Sequence, residues 1–153
     1  MVTKVLYILL SYLCLSSFAF TVKHVRKTED ESFLKNPHYT SNAELPDFLL
    51  KLQKEFPQLI DVKSIGSSTD KQDLIVARIH KDVQRPRSIL IPMFKYVANM
   101  HGDETVGRQM VIYLAEYLVR NYGAIPEVTQ LVDTTDIYLM PSMNPGELSI
   151  FLR

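Results

Sequence analysis

The sequence predicts an α/β domain on an open, mixed, mostly parallel sheet with helices on both faces. Three observations lead there. Short β-branched runs alternate with segments of helical period, the pattern of a layered α/β domain. One run, Ile89 to Met100, is apolar almost throughout and suits a strand covered on both faces, as parallel strands are. The composition, 46% hydrophobic and 22% charged, is that of a globular chain, and 153 residues make one domain the natural count.

Residues 1–19 read as a secretory signal peptide, and the protein is expected in the secretory pathway or outside the cell. Lys4 supplies the basic start, Val5 to Leu15 the apolar centre, and Ser17-Phe18-Ala19 the small-x-small cleavage site. The apolar run is shorter than the roughly 20 residues that span a bilayer. Its removal takes away Cys14, the only cysteine. No disulfide and no thiolate zinc site is then available, so any metal must be held by His and carboxylates.

Residues 20–37 are polar and mixed in charge, a mobile lead-in that should pack little. Leu45, Phe48, Leu49, Leu52 and Phe56 then recur at helical spacing, with Ser41 or Asn42 as N-cap and Pro57 as the stop. Pro46 is compatible with that helix only in its first turn. Leu59 to Ile65 and Leu74 to Ile79 read as two strands joined across Gly66 to Asp70. Pro92 either interrupts the apolar run after them or marks its true beginning. Thr105 to Tyr122 reads as a long, mostly buried helix whose stripe is Val106, Met110, Tyr113, Leu114 and Tyr117, with Val111 and Leu118 beside it and Gly123 as its cap. Ile137 to Met140 is a further strand, and Pro141 to Gly146 is turn chemistry.

Seventeen basic and seventeen acidic residues balance. A generic nucleic-acid or anionic-membrane binder, which needs a basic surplus, is thereby excluded. In open α/β sheets ligands collect past the carboxyl ends of strands, and there stands His101-Gly102-Asp103-Glu104. Gly102 would permit a tight turn that aims both side chains one way. An imidazole and a carboxylate three residues apart can share a zinc ion. The same spacing also fits a structural turn, with Asp103 capping the helix, Glu104 meeting its positive end and His101 hydrogen-bonded at a strand terminus. Spacing alone leaves both readings open.

The wording around the turn is more specific. The run FKYVANMHGDETVGRQMVIYLAEYLVRNYG (Phe94 to Gly123), followed by LVDTTDIYLMPSMNP (Leu131 to Pro145), resembles the regulatory branch of the zinc metallocarboxypeptidases, the carboxypeptidase D, E, M and N group. Within that branch it is most similar to carboxypeptidase D-like members. The resemblance covers residues 38–145 and implies the N-terminal part of a catalytic domain, a metallocarboxypeptidase-like α/β fold stopping after its first half. It implies release of C-terminal Lys or Arg from secreted peptides and proteins, with one zinc ion as cofactor. His101 and Glu104 match the family's first two zinc ligands. Arg108 belongs to the matching motif, and its place one turn beyond Glu104 suits either a residue orienting that carboxylate or an ordinary i, i+4 surface pair.

Residues 146–153 form a divergent tail that resembles nothing in the family. The family's third ligand and general base follow this point, whereas His24, His38 and His80 all precede the motif. No catalytic residue is therefore assigned: Glu147 lies in the divergent tail, and Glu116 is expected to be solvated or paired. The expectation is a chain inactive by itself, with an exposed sheet edge and uncovered apolar surface. Two further readings stand beside the enzyme: a secreted non-catalytic isoform that binds a partner, and a helper that pairs its edge strand with a full-length relative.

Overall fold

The computed structural model describes residues 28–151; the expected signal peptide, Cys14 and residues 20–27 of the lead-in lie outside them. The chain order is a 3-10 turn (Ser32–Leu34), α1 (Glu44–Glu55), β1 (Ile60–Ser67), β2 (Asp73–Ile79), β3 (Met93–Val97), α2 (Thr105–Asn121), α3 (Pro126–Thr134), β4 (Asp136–Met140) and α4 (Pro145–Phe151).

Helix α1 starts as its sequence requires. The Glu44 N–H donates to Ser41 Oγ at 3.2 Å and the Ser41 N–H donates to Glu44 Oε2 at 2.8 Å, a reciprocal capping box. Pro46 falls in the first turn, where its missing N–H has no helical acceptor to lose. Leu45, Leu49 and Leu52 form the buried stripe.

The four strands lie in the order β1-β2-β4-β3. β1 pairs antiparallel with β2, Ile60 opposite Ile79, and β2 pairs antiparallel with β4, Ala77 opposite Leu139. Only β3 and β4 run parallel. The sheet is mixed and open, as expected, but not mostly parallel: the two strands joined by the short 68–72 turn have no room for a crossover.

Ile75, Ala77 and Ile79 of β2 and Ile137 and Leu139 of β4 share one face, and the core formed on it takes in Leu49 of α1, Val111, Ile112, Ala115, Leu118 and Val119 of α2, and Val128 and Val132 of α3. Helices α1, α2 and α3 all contribute to this face. The other face carries Val76, Arg78, Tyr138 and Met140, all part-exposed, and none of these core helices. Each fully buried aliphatic side chain contributes about 1.5–3 kcal/mol, so this one-sided core is where the stability resides.

Three further expectations are corrected. The apolar run does not make the most buried strand: Pro92 precedes a strand of five residues, Met93 to Val97, at the sheet edge, every one of them exposed. Apolar composition shows that a strand wants cover, not that it has it. Helix α2 buries a different stripe from the one its strongest apolar residues suggest, because it is apolar on more than one side. Val106 and Met110 are 59% and 51% exposed, while Val111, Ile112, Ala115, Leu118 and Val119 face the core. Finally, residues 28–37 pack more than their polarity predicts: Asn121 accepts from the Asp30 N–H at 2.6 Å and donates back to its carbonyl at 3.0 Å, and Phe33 lies 5.2 Å from the Tyr113 ring.

Candidate metal centre

The site is built where the parallel pair β3 and β4 ends. Their pairing continues beyond the strands through Ala98 N–H to Met140 O, Met143 N–H to Ala98 O and Asn144 N–H to Asn99 O, each 3.0 Å. Asn99, 1% exposed, turns the chain out of the sheet with φ +54°, a conformation that Asn tolerates better than most residues. Its side chain fixes both flanks, donating to His101 O at 2.6 Å and accepting from Ser142 Oγ at 2.6 Å.

The turn His101 to Glu104 follows. The Glu104 N–H donates to His101 O at 3.2 Å, and Glu104 Oε2 accepts the His101 N–H at 3.1 Å. Both residues are exposed. The turn stands at the expected end of the sheet, with the Glu104 carboxylate folded onto its own loop and bonded to the His101 backbone.

Gly102 has another role than the one its sequence suggests. It is needed for close approach: a Cβ there would stand 2.6 Å from the Glu147 backbone carbon. Its N–H donates to Glu147 Oε2 at 3.0 Å, so α4 is seated directly on the turn. Asn144 caps α4, accepting the Glu147 N–H at 3.3 Å. Sequence reasoning missed this helix because Asn-Pro-Gly reads equally as a turn; Pro145 at its first position was the available signal. Asp103 does not cap α2, whose N-terminus has no side-chain cap.

Arg108 takes neither role offered for it. It is 2% exposed, and its guanidinium donates to the carbonyls of Thr40 and Ser41 and to Asn42 Oδ1. Its only bond to Glu104 is the helical one from its own N–H. Burial pushes its pKa down to about 10, partly offset by the charge of Glu44. Arg108 is a buried strut tying α2 to the segment before α1.

The other titratable candidates lie apart. His38 is exposed beside Tyr113, and His80 is buried past the end of β2. Glu116 is paired with Arg120 at 2.7 Å.

A hydrolytic zinc site typically uses three protein ligands. His101 and Glu104 could supply at most two, and among the described residues no group of three His, Cys, Asp or Glu side chains converges. Glu147 reaches the turn but spends its carboxylate on Gly102. The described residues therefore do not by themselves fit the ion.

Comparison with known proteins places this geometry. A family model described as zinc carboxypeptidase matches residues 45–146. Carboxypeptidase D of Drosophila melanogaster is 48% identical over 117 residues, covering 76% of this chain and 8% of its own length. Carboxypeptidase M of Mus musculus is 45% identical over 98 residues, 64% of this chain and 22% of its own. The chain thus spans less than a quarter of either relative. Among solved structures, thrombin activatable fibrinolysis inhibitor superposes with a TM-score of 0.66 at 21% identity, over 74% of this chain and 27% of that one. Carboxypeptidase A from Helicoverpa armigera gives 0.63 at 24% identity, over 72% and 26%. At such identities the structures attest the fold alone.

Proposed function

The chain belongs to the zinc carboxypeptidase family, and from that premise we propose that it carries the first part of a metallocarboxypeptidase catalytic domain. The activity proposed is release of C-terminal Lys or Arg from peptides and proteins of the secretory pathway. His101 and Glu104 are proposed as two of the zinc donors. The observation that supports this is the His101 to Glu104 turn, exposed at the carboxyl end of the parallel strand pair and steadied by Asn99 and Ser142. Bound zinc would polarise a scissile carbonyl and activate water. The contribution of these residues is to hold the turn; among the described residues no third donor converges on it, and these 153 residues are proposed to be inactive alone.

The test is release of C-terminal Arg or Lys from a short peptide by the chain as it stands, beside a full-length relative. The relative should show chelator-sensitive release and the chain none. Release by the chain that returns with added zinc would overturn the proposed inactivity and reveal a third donor.

A second reading, a non-catalytic secreted isoform that binds a partner such as a full-length relative, draws on the exposed strand β3. Its mark would be co-purification of the two secreted proteins, lost when Tyr96 is replaced by Pro.

A further inference from the structure

The end of the sheet opposite the metal turn carries a second polar centre that the family reading does not use. A cavity of about 170 Å³ lies between the end of β2, the loop after it and the start of β4, lined by Arg78, His80, Lys81, Arg85, Ser88 and Asp136 among others. It is far larger than the ~15 Å³ that one water needs.

Two buried donors around it make no hydrogen bond, although one of them, Arg87 Nε, is ion-paired with Asp136. His80 is 6% exposed, and its Nδ1 accepts the Asp82 N–H at 3.3 Å, which leaves the ring proton on Nε2. That Nε2 is buried without a hydrogen bond, and so is Arg87 Nε, 3.5 Å from Asp136 Oδ2. Buried donors without acceptors are costly and therefore rare.

The charges have one sign to spare. Asp136, 1% exposed, is saturated by Arg78 through Nε at 2.8 Å and Nη2 at 3.2 Å, and by Tyr138 Oη at 3.3 Å. Asp82 is held by Arg85 at 2.8 Å. Arg78, Lys81 and Arg85 line the cavity with Asp82 and Asp136, so one positive charge stays unmatched there; Arg87, outside the lining, shares Asp136. An added cation would meet this positive excess. An anion has an unmatched ammonium and an unused imidazole N–H.

We propose that this cavity binds a tetrahedral oxyanion, a phosphate or sulfate group, with His80 as the buried donor and Lys81 and Arg85 at its mouth. The source is either the free anion or a sulfated glycan.

The test is titration of the ¹⁵N-labelled chain with inorganic sulfate and phosphate at constant ionic strength, followed by NMR and by the thermal midpoint. Amide shifts should concentrate at residues 78–88 and at Asp136, saturate in the millimolar range and accompany a rise in midpoint. Lys81→Gln with Arg85→Gln, both exposed positions that leave the core untouched, should weaken binding at least tenfold. Shifts spread over the surface without saturation, or an unchanged response in the double variant, would overturn the proposal. A sulfated hexasaccharide binding at least tenfold tighter than inorganic sulfate would identify a glycan as the source, and equal affinity the free anion.

Discussion

The two sides of the sheet make opposite use of similar residues. On the β2 and β4 side, Ile79 and Leu139 are fully buried against three helices. On the β3 side, Phe94 and Tyr96 occupy the same face, in register with Ile137 and Leu139, yet stay 50% and 46% exposed. Ile89 and Leu90, just before that strand, are 87% exposed. The lesson is that burial belongs to the partner as much as to the residue. Exposed apolar groups of this extent on a sheet edge are uncommon, since such edges are ordinarily covered or charged.

The largest expected effect comes from breaking the closed side. Leu139→Ala should cost about 2–5 kcal/mol, the range for emptying a packed aliphatic site, read as a lower denaturant midpoint. Phe94→Ser should cost at most about 1 kcal/mol, because only half of that ring is covered, and should raise solubility. If the two losses prove equal, the open side is covered in solution, by a second copy or by another chain. A concentration-dependent midpoint for the unaltered protein would show which.

Gly102→Ala sits at the junction of the two sides. The added methyl meets Glu147 backbone rather than a flexible side chain, so α4 must move. An overpacking cost of about 1–3 kcal/mol is expected, with faster proteolysis near Pro145. Unchanged stability and proteolysis would mean that α4 is not held on the His101 to Glu104 turn.

How much of this was legible in the sequence follows from the range over which each feature is determined. The helix from Glu44 and the β1–β2 hairpin were readable because capping residues, turn chemistry and periodicity are local. The site was readable in part: the His101 to Glu104 turn lies within four residues, and family wording surrounds it. The seat of Arg108 was not, since its acceptors Thr40 to Asn42 lie far away in sequence and nothing at Arg108 names them. The same holds for the Arg78, Arg87 and Asp136 cluster, whose local trace is a charge inside one apolar run and another just before the next. Helix α3 was overlooked although Pro126 at its start, with Val128 and Val132 one turn apart, was a fair signal. The edge position of β3 was beyond reach, because a strand's neighbours are set by the whole topology.

The smallest expected effect sharpens the comparison at the helix starts. α1, on the closed side, begins with the reciprocal Ser41–Glu44 box, whereas before α2, which leads away from the open side, only one arm forms, Glu104 accepting the His101 N–H. The hydrogen bond from the Ser41 backbone, reinforced by the Ser41 hydroxyl, holds the Glu44 carboxyl below its ordinary value of 4.5. A carboxyl whose folded pKa is depressed contributes stability above its unfolded pKa and loses it as pH falls through the folded one. The box should therefore be intact at neutral pH and lost as the solution is acidified below about 4.5. Comparing thermal midpoints of the unaltered protein and Glu44→Gln from pH 6 to pH 3 isolates the contribution. The two should converge on acidification, since the amide does not titrate. A constant difference across the range would mean that the Ser41–Glu44 contact does not depend on the carboxylate charge.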